Sequence, residues 1–419
     1  MTRPARIGFV STRFSGTDGV SLEAAKWVEV LKKQGHTCTF FAGASDWPAE
    51  VNYIVPEAHF EHPDVRQVTN DLFDDYLRAP QTTRKIDQLQ HYLKMHLERY
   101  VDHFQVQVLI IENALSMPMN VPLALAVTEL VAERGLPTIA HHHDFSWERS
   151  RYTISAADDY LRAAFPPVLY PIRHVVINSY ARQQLALRTG VSATIIPNVM
   201  DFTTPPPPAD VIADSLRQAL EIPPENYLLL QPTRIVPRKR IELAIELARR
   251  LELPCTLLIT HASGDEGIGY ENYLRQFAQL IGVDVRFASQ SFALQRRRTM
   301  DGRQIFSLAD AYQAADLVTY PSLIEGFGNA FLEAIYFKKP ILMSLYGIYK
   351  TDIQPKGFQI IPFRQFIDVD TVMNARQILL NPLSAQPMVE QNYQLGLRHY
   401  SYQVLEVYIE ALMDECLGI

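Results

Sequence analysis

RIGFVSTRFSGTDGVSLEAAKWVEVLKKQGHTCTFFA, residues 6–42, carries the pattern from which the fold follows. RIGFVST, residues 6–12, is a short continuous apolar run of the kind found in strands covered on both faces. Gly16, Gly19 and Ser21 then precede a helix, because Ala24, Trp27, Val28 and Leu31 recur at i, i+3, i+4 and i+7. Gly35 ends that helix, and TCTFFA, residues 37–42, supplies a second strand. Strand, loop, helix, strand is the seed of a parallel, doubly wound α/β sheet.

Working outward, further strands are expected at 106–111, 136–140, 174–178 and 193–196, with helical stretches between several of them. These complete one Rossmann-like domain over 1–203. DFTTPPPPAD, residues 201–210, follows, and its four consecutive prolines exclude helix interior and central strand. The rhythm then restarts. Strand YLLLQ (227–231) leads to a helix with Ile241, Ala244, Ile245 and Ala248 at helical spacing, and then to strand CTLLIT (255–260). LVTY (317–320) and PILM (340–343) continue a second Rossmann-like domain over 204–398. A helix from about Tyr402 to Met413 lies in the closing segment 399–419, where it is expected to pack back on the first domain.

At 419 residues and 47% hydrophobic composition, two sizeable cores can be filled. The net charge of -7, from 39 Lys+Arg against 46 Asp+Glu, lacks the broad positive field of a nucleic-acid binder and favours small-molecule chemistry. Cys38, Cys255 and Cys416 stand far apart, without CxxC spacing, and read as reduced, packed thiols in the cytoplasm. MTRPARIGFVST has no long apolar region or small-residue cleavage site, so it reads as a first strand and not as a secretory signal. Apolar segments stay short of the roughly 18 residues of a membrane span.

The sharpest local pattern is YPSLIEGFGNAFLEAIYFKKP, residues 320–340. A strand end is followed by Glu325, and Gly326 and Gly328 open a helix that carries Glu333. Glycines at a helix start let a ligand approach the backbone, and the free N–H groups there suit a diphosphate or a hydroxyl-rich ligand. The same letters also describe an ordinary strand-loop-helix with solvated glutamates. PTRIVPRKRIE, after strand YLLLQ, sets Arg234 and Lys239 across the turn into the next helix, where two cations can clamp a pyrophosphate. Arg238 and Arg240 sit alongside, and some of the four must face water.

The R-x4-K pair Arg234 and Lys239, followed by the E-x7-E pair Glu325 and Glu333 in EGFGNAFLEA, resembles glycosyltransferase family 4. VINSYARQQL, IPNVMDF, HASGDEG (261–267) and SLADAYQAADLVTYPS (307–322) support the resemblance, which covers most of the chain. It implies the GT-B fold, two Rossmann-like doubly wound domains facing a central cleft, and a retaining transfer that needs no cofactor and no metal. Arg234 and Lys239 would hold the donor diphosphate, Glu333 the nucleotide ribose and Glu325 the donor sugar. Backbone N–H groups of Phe327, Gly328 and Asn329 would cover sugar and phosphates, and Gly19 would let the first domain's backbone approach the diphosphate.

AHHHDFSWERSRY, residues 140–152, places three histidines and Asp144 after a strand. Consecutive strand residues alternate faces, so the three cannot all bind one ion. The resemblance implies that a histidine after this strand lies by the reacting sugar, and His143 fits. HDFSWER is similar to a solute-forming subgroup that contains trehalose synthases and mannosylglucosylglycerate synthases. On that reading Asp144, Arg149 and Arg151, with Arg13, hold a small polar or phosphorylated acceptor of sugar, sugar phosphate or glycerate type. Arg149 and Arg151 in a solvated helix start, paired locally to Glu148, is the competing reading.

The expected reaction moves a hexosyl group from a nucleoside-diphosphate sugar, UDP-glucose first and GDP-mannose second. Retention without a well-placed acid partner for Glu325 points to front-side displacement, in which the leaving phosphate helps deprotonate the acceptor. A sugar-nucleotide epimerase on the same fold, or a non-catalytic nucleotide-sugar-binding subunit, are the alternatives. Partners are the donor and the acceptor, with no nucleic acid and no transmembrane segment.

Overall fold

The computed structural model describes residues 4–16, 18–263 and 268–418. The chain divides into two compact units, one made of Met1–Val199 with Tyr402–Ile419, the other of Met200–Ser401.

In the first unit, seven strands form one sheet: β1 (Arg6–Val10), β2 (Thr37–Ala42), β3 (Asn52–Ile54), β4 (Val108–Glu112), β5 (Thr138–His142), β6 (Ile172–Val176) and β7 (Ala193–Ile195). Their order is β3-β2-β1-β4-β5-β6-β7, and every pairing is parallel. The helix Gly19–Lys33 buries Ala24, Trp27, Val28 and Leu31, the stripe its spacing dictates. Its start is capped by the Asp18 carboxylate, which accepts from the N–H groups of Val20 and Ser21. The last helix of the chain, Tyr402–Leu417, puts Leu405, Ile409, Leu412 and Met413 into the same core as Trp27 and Leu31. Gln34 Nε2 donates to its Glu406 carbonyl at 3.1 Å.

The second unit holds a six-stranded parallel sheet. In chain order its strands are β8 (Tyr227–Gln231), β9 (Cys255–Ile259) and β10 (Asp284–Phe287), then, after a small three-stranded excursion of β11 (Phe292–Ala293), β12 (Arg297–Arg298) and β13 (Gln304–Ser307), β14 (Leu317–Tyr320), β15 (Ile341–Ser344) and β16 (Ile361–Phe363). The spatial order is β10-β9-β8-β14-β15-β16. Ile241, Ala244, Ile245 and Ala248 of the helix Ile241–Arg250 are buried against it.

The unit boundaries differ from the sequence expectation of 203/204 and 398/399. The chain enters the second unit at Met200, ahead of the proline run, because Phe202 is anchored there. Its ring packs edge-on to Tyr336 and Tyr393, and Tyr393 Oη donates to its carbonyl at 2.8 Å. Residues 399–401 also belong to the second unit and not to the closing segment. Tyr400 packs on Phe327 and Phe358, and Met200 pairs with Ser401 in a β-bridge. Strand 6–12 is shorter than expected, ending at Val10, and the strand expected at 136–140 runs on to His142. Among the described residues no helix is long and apolar enough to cross a membrane.

Candidate functional site

In the second unit, β8 and β14 are neighbours in the sheet, so the segments leaving their C-terminal ends lie side by side. The first carries Arg234, Arg238 and Lys239, the second Glu325, and this is the switch point at which open parallel sheets bind ligands. Lys239 is buried, its ammonium hydrogen-bonded to Glu325 Oε1 and 5.3 Å from the Tyr320 ring centroid. Arg238 Nη1 is 3.8 Å from Glu325 Oε2, and its buried Nε meets no acceptor among the described residues. Arg234 is exposed.

Burial pushes the Glu325 carboxyl up, but the charges of Lys239 and Arg238 outweigh it and hold the group below its ordinary value. Glu325 is therefore ionised, while burial, ahead of the opposing Glu325 charge, holds the Lys239 ammonium below its ordinary value. Lys239 and Arg238 flank the one carboxylate and Arg234 stands in the same segment, leaving a positive excess that suits a multiply charged anion. His261, at the end of β9, is held neutral: burial first, then the charges of Lys239 and Arg234, push it down to about 4. Its Nδ1 is 2.9 Å from Thr260 Oγ1.

The glycine turn closes the same end of the sheet. Gly328 caps the helix Asn329–Tyr336 at φ 118°, a conformation open mainly to glycine. A Cβ there would meet Tyr346 Oη at 2.6 Å, the hydroxyl that donates to the Phe327 carbonyl. Phe327 itself is buried. Glu333, one turn into that helix, accepts from Tyr312 Oη at 2.7 Å.

Glu325 and Lys239, expected at different parts of a ligand, are paired directly with each other. HASGDEG is described only as far as Ser263, and residues 264–267 lie outside the described residues, as does Thr17 of SGTDGVS.

In the first unit, β4 and β5 pair so that Glu112 stands opposite His141. Strand alternation sends His142 to the other face, where its Nε2 is 2.9 Å from His174 Nδ1 and its ring lies against Phe145. His141 and His143 turn to one side and meet the buried Glu112 carboxylate, His141 Nδ1 at 3.1 Å and His143 Nε2 at 3.0 Å. Trp27 lies over His141 with ring centroids 4.5 Å apart.

Burial pulls the His143 imidazole down, yet the Glu112 hydrogen bond and charge, with Glu23 and Asp144 adding to it, bring it above its ordinary value. Burial likewise pushes Glu112 up, and His141 and His143 reverse that to about 2. His141 stays below its ordinary value, chiefly through burial. The three adjacent histidines do not converge on one point, because His142 faces away, but His141 and His143 share a face with a carboxylate from the neighbouring strand, the three side-chain atoms all lying within 4.8 Å of one another. Glu112 ends the apolar strand VLIIE, a charge where only apolar residues are expected. That was the available signal, but its partner is set by strand order.

The residues expected to hold an acceptor are engaged locally. Arg149 Nη2 donates to Asp144 Oδ2 at 2.7 Å. Arg13 lies 3.3 Å from Asp18 and over the Phe60 ring. Arg151 is exposed and stacks on Tyr152. Glu148, expected to pair with an arginine, instead accepts from the Phe145 N–H. Gly19 is exposed at the start of its helix, where Asp18 already takes two of the N–H groups a phosphate would use.

No family model matches the sequence. Two mannosylglucosylglycerate synthases are similar to it. The Thermotoga maritima enzyme shows 32% identity over an alignment of 441 positions that covers 96% of this chain and 98% of that one. The Petrotoga mobilis enzyme shows 32% identity over 385, covering 85% and 86%. Among solved structures, a glycosyltransferase from Rickettsia africae ESF-5 superposes with a TM-score of 0.68 at 12% identity, covering 99% of both chains. Anabaena HepE in complex with UDP-glucose superposes at 0.63 and 14% identity, again over 99% of both. The fold is thus GT-B, and the chain belongs to the mannosylglucosylglycerate synthase family of glycosyltransferases.

Proposed function

We propose that this glycosyltransferase moves a hexosyl group, with retention, from a nucleoside-diphosphate sugar to a small, hydroxyl-rich acceptor carrying an acidic group. The observation that carries the reading is the pairing of Arg238 and Lys239 with the single carboxylate of Glu325, with Arg234 in the same segment, beside a helix opened by Gly328. A diphosphate neutralises that excess, and the same cations stabilise the charge that grows on it as the glycosidic bond breaks. Glu325, fixed by Lys239, then lies where phosphate meets sugar, and Glu333 takes the ribose. In the first unit, His143 hydrogen-bonds the donor sugar or positions the acceptor, with Asp144, Arg149, Arg151 and Arg13 as the acceptor residues.

The relatives are named for a product whose outermost unit is mannosyl. That favours GDP-mannose over UDP-glucose, the donor the sequence pattern put first, and an acceptor of the glycerate type. In the reaction the bond from the anomeric carbon to the diphosphate breaks on the face where the acceptor oxygen bonds. The acceptor proton passes to the leaving phosphate oxygen, so neither metal nor cofactor enters the step. The test is a thermal-shift panel of GDP-, UDP- and ADP-sugars. A binder present at a hundredfold its Kd stabilises the fold by about 2.7 kcal/mol. Shifts with none of them, or equal shifts in wild type and Lys239→Ala, overturn the reading. Turnover of GDP-mannose with glycerate-type acceptors then settles donor and acceptor together.

A further inference from the structure

We propose that Glu112 is the positioning residue of the first unit's site, holding His143 by Nε2 so that Nδ1 is the ring atom turned toward the substrate. The inference deepens the reading above and rests on its placing His143 at the reacting sugar.

Glu112 and Asn113, consecutive residues at the end of β4, grip His143 at both its ring and its backbone. The Glu112 carboxylate lies 3.0 Å from Nε2. Asn113, at a positive φ of 60°, accepts through Oδ1 from the N–H groups of His143 and Asp144 at 3.0 and 3.2 Å. A left-handed, non-glycine residue held in place by its own side chain is strain kept where orientation matters. Ring and main chain of His143 are thus located by one neighbouring strand end.

A carboxylate only accepts hydrogen bonds when ionised, so both facing nitrogens must carry protons: Nε2 on His143 and Nδ1 on His141. His141 Nε2, buried with no partner among the described residues and close to Trp27, is then the unprotonated nitrogen of a neutral ring, which needs no acceptor. The same arrangement fits a divalent ion poorly. A ligating histidine normally gives its outer N–H to an acceptor, and among the described residues His141 Nε2 has none.

The groups facing His143 are Glu112 from β4, Glu23 from the helix Gly19–Lys33, and Asp144 and His141 from its own segment. Glu23 is buried but spent, accepting from Val199 N at 3.1 Å and from Lys26 Nζ at 2.8 Å. Glu112 is therefore the carboxylate in direct contact with the ring, and it sets both tautomer and charge.

The experiment uses the full chain with 15N-labelled histidine. In wild type at alkaline pH, the neutral rings should show the Nε2–H form for His143 and the Nδ1–H form for His141; the opposite pair overturns the proposal without any variant. Glu112→Gln should lower the His143 titration midpoint by a unit or more. It should also move the alkaline limb of kcat to lower pH and reduce kcat at neutral pH tenfold or more with KM nearly unchanged, while Glu112→Asp restores part of the midpoint. An unchanged midpoint in a folded Glu112→Gln protein sinks the proposal, as does one equivalent of tightly bound metal in wild type that this variant loses. Failure of the parent reading looks different: His143→Asn would keep full activity, while the Glu112-dependent titration of His143 persisted in the otherwise wild-type chain.

Discussion

Lys239 and Glu325 show how a buried pair can serve binding and stability together. Removing one partner leaves the other's charge buried and uncompensated, which costs about 3–5 kcal/mol. Lys239→Ala should therefore lower the melting temperature and, where the variant remains folded, reduce kcat by about 10²- to 10³-fold, the loss typical of one charge-stabilising donor. Calorimetry and steady-state kinetics check the two effects separately. Glu325→Ala should lose activity by weakening transition-state binding, and no glycosyl-enzyme adduct should form in wild type; a covalent adduct trapped by mass spectrometry would mean that Glu325 is a nucleophile. The Glu112 cluster makes a further prediction from two shifts of opposite sign. Glu112 is depressed from 4.5 to about 2, so its contribution is complete above the higher value and is lost as pH falls through the lower. His143 is raised above 6.5, so its contribution is complete below that value and is lost as pH rises through the folded-state midpoint. The melting-temperature difference between wild type and Glu112→Gln should plateau between about pH 4.5 and 6.5 and shrink on either side.

At the scale of elements, apolar periodicity located the buried strands and amphipathic helices well. TCTFFA, YLLLQ and LVTY occupy β2, β8 and β14 with the same ends as read from the letters. The strands of the two large sheets that it missed, β3, β10 and β16, lie at sheet edges, where short strands carry little apolar signal. The turn before the helix Asn329–Tyr336 was legible as glycine-rich. Its need for glycine at 328 was not, because Tyr346 arrives from another strand-loop segment. Gly328→Ala combines an unfavourable φ with a Cβ placed 2.6 Å from Tyr346 Oη. It should cost about 1–3 kcal/mol in chemical denaturation and, by displacing the backbone over the ligand, weaken sugar-nucleotide binding in the same thermal-shift panel.

For the whole molecule, the chain's last helix completes the core of the first unit, although it is synthesised after the second. Leu405 is fully buried beside Trp27 and Leu31. Leu405→Ala should destabilise the first unit by about 2–5 kcal/mol and leave the second almost untouched. Hydrogen exchange resolved by segment checks this: protection should fall in 6–10 and 19–33 and persist in 227–231 and 317–320. Added donor should give the reverse footprint, with new protection concentrated around 234–239 and 325–333 in the second unit.

Two parallel α/β units, their main strands and the cation, carboxylate and glycine pattern of the second were determined by the sequence alone. Spacing along one strand or helix fixes which side chains share a face, and adjacent β-loop-α segments bring Arg234, Arg238, Lys239 and Glu325 to one sheet end. Tertiary structure alone decided the partners. Glu112 is paired with His141 and His143 because β4 neighbours β5, and Tyr312 with Glu333 because two helices pack together. It also decided that Met200 and Ser401, and not the proline run, bound the second unit. Contacts between residues far apart in the chain depend on strand order and helix packing, which local periodicity does not encode.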